Sequence, residues 1–290
     1  MKLKKFLNKI TLSMVMFALL IGVLFGVAPA NASAATVSGK IVIAGSTALL
    51  PLTQQAAKEF KQKNRKVSIS VSGSSSIAGP QSVLKGSATI GASDWDATKA
   101  VQGFKAFEGL VAHKIAVIPF AVIVHKDNKV KNLTTSQLQG IFSGKIKNWK
   151  EVGGEDKEIV VVTRSVGSGT RVNFIEKALE GEDINDKSPN LVKAGKSGEM
   201  VTKVQENKYA IGYVDLPYVK GDIRAVDFNG IAATVDNIKK GKYPIWGYGY
   251  LLTKGKAKGA DKAFIEYIQT AKFQKNTSAK LKFIPLSEMK

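Results

Sequence analysis

The sequence predicts an α/β protein of two domains with mostly parallel sheets. Short β-branched runs alternate with amphipathic helical stretches. About 255 residues follow an N-terminal leader, enough for two domains of ordinary size. The texture of the chain also changes twice, near Lys126 and near Trp246, and no repeat of solenoid period interrupts the alternation.

The leader comes first. Met1-Lys-Leu-Lys-Lys-Phe-Leu-Asn-Lys is basic, Ile10 to Val27 is almost wholly apolar, and Ala28-Pro-Ala-Asn-Ala-Ser-Ala carries small residues at alternating positions. This pattern predicts a secretory signal peptide over residues 1–34, cut after Ala32 or Ala34. The apolar run approaches the length of a membrane anchor, but the polar small-residue tail argues for cleavage.

Lys40-Ile-Val-Ile-Ala reads as a strand and Ala48 to Lys61 as a helix, with Leu49, Leu52, Ala56 and Phe60 on one face. Val67-Ser-Ile-Ser-Val is the next strand, and Gly73-Ser-Ser-Ser-Ile-Ala-Gly leads into a helix opened near Pro80. Ala88-Thr-Ile-Gly-Ala brings the chain to Ser93 and Asp94. The apolar run Ile115 to Val124 precedes Lys126-Asp-Asn-Lys, after which Leu133-Thr-Thr-Ser-Gln-Leu opens a second strand–helix series. In that series Ile159-Val-Val-Val-Thr is a strand, Arg171 to Leu179 a helix facing Phe174, Ile175, Ala178 and Leu179 inward, and Tyr209-Ala-Ile-Gly-Tyr-Val another strand. The chain crosses back near Tyr243-Pro-Ile-Trp-Gly-Tyr-Gly-Tyr-Leu-Leu, and a helix from Asp261 to about Phe273 rejoins the first part. The expected boundaries are thus 35–122 with 247–290 for domain I, and 123–246 for domain II.

Charge and composition narrow the function. The leader's Lys2, Lys4, Lys5 and Lys9 supply four of the net +20 charges, which leaves the remainder near +16 and suits an anionic partner. The lysines are scattered along helix-like faces such as Lys58-Glu-Phe-Lys-Gln-Lys, without interleaved base-stacking aromatics, so nucleic acid is not the expected partner. They read as solvated faces in a polyanionic cell envelope, with anionic cell-wall polymers as a candidate partner. The absence of cysteine excludes a disulfide scaffold, a thiolate metal site, a cysteine nucleophile and a lipid-accepting Cys. The expected location is therefore outside the cell, secreted or held at the envelope electrostatically.

Three polar loops share one design. Gly45-Ser-Thr, Gly73-Ser-Ser-Ser and Gly167-Ser-Gly-Thr each lie between a predicted strand and a predicted helix. Amides and hydroxyls at a helix N-terminus meet the positive end of the macrodipole, so an oxyanion is favoured there without any lysine. Taken singly each loop is explained by N-capping; together they point to an anion site. Arg164, three residues before Gly167, can send a rigid fork of donors to the same place. Asp94 is the odd member, because a carboxylate repels an anion unless that anion carries a proton to donate.

Enzyme motifs are missing. There is no Gly-x-Ser-x-Gly elbow, and Asn190-Leu-Val-Lys-Ala-Gly-Lys-Ser has Asn where the P-loop of nucleoside triphosphatases requires its first Gly. His113 and His125 have no ligand-like spacing, so neither metal nor cofactor is expected. Trp95, Trp149 and Trp246 read as packing residues, with Trp95 notable only for adjoining Asp94.

From about Gly39 onward the chain resembles the phosphate-binding (PstS) family that serves phosphate-specific ABC transporters. Arg164-Ser-Val-Gly-Ser-Gly-Thr is similar to the family's strongest signature, which implies that Arg164, Ser168, Gly169 and Thr170 contact phosphate. Gly91-Ala-Ser-Asp resembles the loop whose aspartate accepts the phosphate proton, implying that role for Asp94. Gly73-Ser-Ser-Ser-Ile-Ala-Gly is similar to the second binding loop, with Ser76 as contact and Ser75 its neighbour. The first loop, Ala44-Gly-Ser-Thr-Ala-Leu-Leu-Pro, leaves the contact open among Ser46, Thr47 and Ala48, and Val166 stands where some relatives are acidic. Leu133-Thr-Thr-Ser-Gln-Leu-Gln-Gly-Ile-Phe-Ser-Gly-Lys-Ile-Lys-Asn-Trp and Ala210-Ile-Gly-Tyr-Val also fit.

The resemblance implies a periplasmic-binding-protein fold of type II, two α/β domains joined by two hinge crossovers, capturing phosphate without catalysis and handing it to ABC transporter permease subunits. Another oxyanion, sulfate or molybdate, is the alternative ligand, and a secreted phosphatase on the same scaffold the alternative class. The leader pattern predicts that secreted material begins at Ser33 or Ala35. N-terminal sequencing checks this, and membrane-bound protein beginning at Met1 contradicts it.

Overall fold

The computed structural model describes residues 36–289, so the signal-peptide reading over 1–34 lies outside the described residues. The elements follow as β1 (Gly39–Gly45), α1 (Leu50–Lys63), β2 (Val67–Gly73), α2 (Ala78–Leu84), β3 (Ile90–Ser93), β4 (Leu110–His125), β5 (Asn132–Leu133) and α3 (Thr135–Ser143). Then come β6 (Val160–Arg164), α4 (Gly169–Ala178), β7 (Leu191–Ala194), α5 (Ser197–Gln205), β8 (Ala210–Asp215), β9 (Ile223–Ala225), β10 (Asp227–Phe228), α6 (Val235–Lys239), β11 (Trp246–Lys254) and α7 (Gly259–Gln269).

Local chemistry sets these boundaries. Leu52, Ala56 and Phe60 recur every four residues, so α1 buries one stripe, and Lys61 and Lys63 suit the negative end of its dipole. A reciprocal cap between Thr134 and Gln137 opens α3, and Gly144 closes it in the left-handed conformation. The C-terminal helix differs from the single Asp261–Phe273 element expected. It opens at Gly259 and breaks at Thr270, which is extended and caps a separate turn at Ala271–Phe273 through its hydroxyl.

One sheet of nine strands carries the molecule, in the order β2-β1-β3-β11-β4-β8-β6-β7 with β9 added beside β4. Its two flanks are parallel: β2, β1 and β3 on one side, β7, β6 and β8 on the other. The centre is antiparallel, where β11 pairs with β3 and β4, and β4 with β8. The expectation of mostly parallel sheets therefore holds for the flanks and fails in the middle. The physical reason is β4, a strand of 16 residues that serves both flanks in succession. Its first part pairs with β11 as far as Pro119 opposite Trp246, and from Phe120 it pairs with β8. Proline lacks the ladder donor, and Pro119 sits at the seam where the partner changes. The return crossing lies alongside, since Phe120 donates its amide to the Ile245 carbonyl at 3.0 Å.

Hydrophobic burial runs through this seam. Ile41, Ile43, Leu49, Phe60 and Phe264 pack in one continuous cluster with Phe120, Phe142, Phe174 and Tyr213. A second cluster under α5 gathers Ile123, Val162, Met200, Val204 and Val214. The parallel flanks point the C-terminal ends of β1, β3, β6 and β8 toward the middle, where strand-to-helix turns converge, as ligand sites do in open α/β sheets.

Gly45 ends β1 in a conformation that side chains rarely adopt, with φ of +135°, and a Cβ there would lie 2.2 Å from the Ala92 carbonyl oxygen. The turn that begins at Gly45 is thus welded to the end of β3, and Ser46 donates its amide to that same carbonyl at 2.8 Å. Gly45→Ala is expected to cost at least about 2 kcal/mol, through combined strain and overpacking. Denaturant unfolding of variant and parent checks this, and equal stability contradicts it.

Candidate anion-binding site

Asp94 lies just beyond β3 and is 3 % exposed. Its carboxylate accepts from the Ser46 hydroxyl on one side and from the Thr170 hydroxyl, at 3.3 Å, on the other. Its amide donates to Ser76 Oγ at 3.2 Å, and its carbonyl accepts from Asn173 Nδ2 at 2.9 Å. Its pKa is raised on balance, by burial, with Ser46, Arg164, Ser76 and Thr170 opposing only part of the rise. All three predicted loops therefore meet at Asp94, two at its carboxylate and one at its amide.

Arg164 ends β6 and is 1 % exposed. Its Nε donates to the Ala194 carbonyl at 3.3 Å, Nη1 to Ser197 Oγ at 3.3 Å, and Nη2 to the Gly195 carbonyl at 3.0 Å and Thr47 Oγ1 at 3.3 Å. Its backbone is held too. The amide donates to the Tyr213 hydroxyl at 3.0 Å, and Tyr213 is pinned by a face-to-face stack on Phe174 with centroids 4.0 Å apart. The carbonyl accepts from Arg171 Nη1, and Arg171 is itself clamped by both oxygens of Asp186 at 2.9 and 3.0 Å.

The other predicted residues fall as follows. Ser46, Thr47 and Ala48 are buried, with Ser46 on Asp94 and Thr47 on Arg164 and Ser197, so both hydroxyls of the first loop face the site and Ala48 packs in the core. Ser76 is 1 % exposed and faces inward, whereas Ser75 is half-buried and contributes its carbonyl to the Ala78 amide instead. Ser168 caps α4 by accepting from the Arg171 amide at 3.4 Å. Gly169 has no room for a side chain, because a Cβ would come within 2.5 Å of both Asp94 Cβ and Ser76 Oγ.

Four site residues escaped the sequence reading: Asn173, Ser197, Asp215 and Tyr218. Ser197 opens α5 and brings a further helix N-terminus to the site; its amide donates to Thr47 Oγ1 at 3.1 Å. Tyr218 donates its hydroxyl to the Thr47 carbonyl at 2.9 Å. Asp215 is wholly buried and neither carboxyl oxygen has a partner. Its pKa is pushed well up, by burial first and then by the like charge of Asp94. The only signals available were Ser197 at the end of the imperfect Asn190–Ser197 motif and Asp215 one residue beyond a predicted strand.

Chemically, this is a buried polar cluster with one guanidinium, several hydroxyls, the N-termini of α1, α4 and α5, and no buried lysine among the described residues. Donors of this kind suit a small oxyanion.

The PBP superfamily domain matches residues 30–272. The phosphate-binding protein PstS of Bacillus subtilis is 37 % identical over 258 residues, which cover 87 % of this chain and 83 % of that protein. The PstS of Borreliella burgdorferi is 26 % identical, covering 79 % of this chain and 83 % of its own length. Among solved structures, a phosphate ABC transporter substrate-binding protein of Clostridium perfringens with bound phosphate is 34 % identical, has a TM-score of 0.79, and covers 86 % of this chain and 100 % of that one. An ABC-type phosphate transport receptor of Vibrio cholerae is 30 % identical, with a TM-score of 0.67 and coverage of 85 % and 100 %. The chain belongs to the PstS family of phosphate-binding proteins within the PBP superfamily.

Proposed function

We propose that this protein is an extracellular receptor that captures inorganic phosphate between two lobes and delivers it to the permease subunits of an ABC importer. The observation that carries the reading is the buried Asp94, held from both sides by Ser46 and Thr170 and placed with Arg164 in a chamber of neutral donors. Hydrogen phosphate satisfies that carboxylate with its own proton. A fully deprotonated oxyanion offers it only lone pairs, and the two charges then oppose each other away from water. The relatives bear the names of binding proteins, which supports a receptor rather than a phosphatase.

The lobes in this reading are 35–122 with 247–290, and 123–246. The partner change in β4 between Pro119 and Phe120, and the return at Ile245–Trp246, supply two adjacent crossovers about which they hinge. Contacts such as Thr170 to Asp94, Arg164 to Thr47 and the Ile77 amide to the Gly167 carbonyl at 3.0 Å then belong to the closed form. Export rests on the leader pattern, and no described helix is long and apolar enough to cross a membrane. Exposed cations around α1 such as Lys58, Lys61 and Arg65 suit anionic wall polymers as a means of retention.

Arg164→Ala is expected to weaken phosphate binding at least about a hundredfold, because charged donors are worth roughly 1.5–3 kcal/mol each. Lys157→Ala, exposed and outside the loops, leaves binding within about twofold. Titration calorimetry on both variants checks this, and equal effects point to general electrostatics instead of a built site. Asp94→Asn replaces repulsion with an amide that can donate, so sulfate binding rises while phosphate binding holds or falls. A parent that binds sulfate as tightly as phosphate, or a variant with an unchanged ratio, refutes phosphate selection by Asp94; built selection of this kind reaches about 10⁴-fold.

A further inference from the structure

Among the described residues Asp215 is the buried charged side chain whose two carboxyl oxygens lack a hydrogen-bond partner, with the Ser197 hydroxyl among the groups that favour its ionised form. It ends β8, paired with Phe120 of β4, and shares a strand face with Tyr213, whose hydroxyl receives the Arg164 amide. The titratable groups around it are Arg164 from β6, Asp94 from beyond β3, Tyr213 on its own strand and Tyr218 on the turn that follows. From α5 comes Ser197, whose hydroxyl is engaged with Thr47 and Arg164, while Glu199 turns outward to the Gly195 amide. From β4 comes only Phe120. Two carboxyls and one guanidinium thus share a space closed to water.

The charge balance of the occupied site is what makes this matter. With Arg164 at +1 and Asp94 ionised, the chamber is neutral, and an ionised Asp215 takes it to −1. A hydrogen phosphate dianion then brings it to −3 in a poorly solvated space. A neutral Asp215 holds the total at −2, and the carboxyl acid gains a donor for an orphaned position. We propose that Asp215 is a proton-linked positioning residue of the anion site, ionised beside Arg164 in the hydrated open cleft and taking up one proton from solvent as phosphate binds and the lobes close. The ligand's charge then replaces the carboxylate's opposite the guanidinium. This rests on the phosphate-receptor reading and adds to it a residue that the sequence marks only by its place just beyond a predicted strand. The upward push on the Asp215 pKa by burial and by Asp94 agrees in direction, since it favours the protonated form in the closed state.

The test is titration calorimetry of the full secreted chain with inorganic phosphate, in buffers of different ionisation enthalpy. It is run at mildly alkaline pH, where phosphate is already almost entirely the dianion. The parent is expected to take up close to one proton per phosphate, and Asp215→Asn close to none. Above neutral pH the parent's affinity falls by up to about tenfold per pH unit relative to the variant, the slope of one linked proton. Asp215→Ser, checked for folding by near-ultraviolet circular dichroism, repeats the comparison should the asparagine variant fold poorly. A parent that binds phosphate without net proton uptake overturns the inference without any variant, as do superimposable profiles for parent and variants. In either case the receptor reading stands. Failure of the parent to bind phosphate at all overturns both.

Discussion

The burial of one carboxylate, Asp94, is the constraint on which the site is built. An isolated carboxylate cannot be dried without heavy cost, so its acceptors must be filled from whatever surrounds it. Here they are filled by Ser46 from one flank of the sheet and by Thr170 from the other. The bond that satisfies Asp94 is therefore also a bond between the halves of the molecule. Asn173 repeats the arrangement, donating to the Asp94 carbonyl and the Gly169 carbonyl, both at 2.9 Å. The groups that satisfy Asp94 are thus the same groups that tie the two flanks of the sheet together.

The protein's large positive charge plays little part in this chamber. Lysines crowd the surface, yet the buried polar residues include only Arg164 and Arg171 as cations among the described residues. Surface charge attracts anions of any shape and fades with salt, whereas hydroxyls and amides aimed at fixed points discriminate by proton and geometry. Separating the two lets a basic protein collect anions broadly and retain one.

The sequence was legible where local chemistry decides structure. β-branched runs declared the strands, and Gly-Ser-Thr turns before helices declared three loops of the site, because amides and hydroxyls at a helix start serve only a few purposes. Within the second loop, Ser75 and Ser76 were alike as letters, and the pitch of the turn sends only Ser76 inward. The unread residues share a different origin. Ser197 belongs to a stretch weighed as a nucleotide motif, and its place depends on β7 lying beside β6, a pairing between segments some 30 residues apart. Asp215 and Tyr218 follow a strand that was recognised, but only the packing of β8 between β4 and β6 buries what comes after it. The antiparallel centre was missed for the same reason, since strand direction is fixed by long-range pairing and not by residue type.

Val166 brings the remaining question, how Arg164 is steadied where some relatives have an acid between it and the glycine. At 65 % exposure position 166 faces water, and apolar Val166 gives the guanidinium no charge partner. The structure instead fixes Arg164 with acceptors that carry no net charge: the carbonyls of Ala194 and Gly195 and the hydroxyls of Ser197 and Thr47. The ion pair is moved one step back, to Arg171 and Asp186, whose role is to hold the Arg164 carbonyl. Despite partial burial, Asp186 is kept below the usual carboxylate range by Arg171 and Lys193, so this brace is intact at neutral pH and is lost only as the pH falls through that lowered value. Carbonyls and hydroxyls orient a guanidinium without cancelling its charge, whereas a carboxylate in direct contact does both. The Ala194 and Gly195 carbonyls and the Ser197 hydroxyl thus orient Arg164 from its own flank of the sheet without a carboxylate in direct contact.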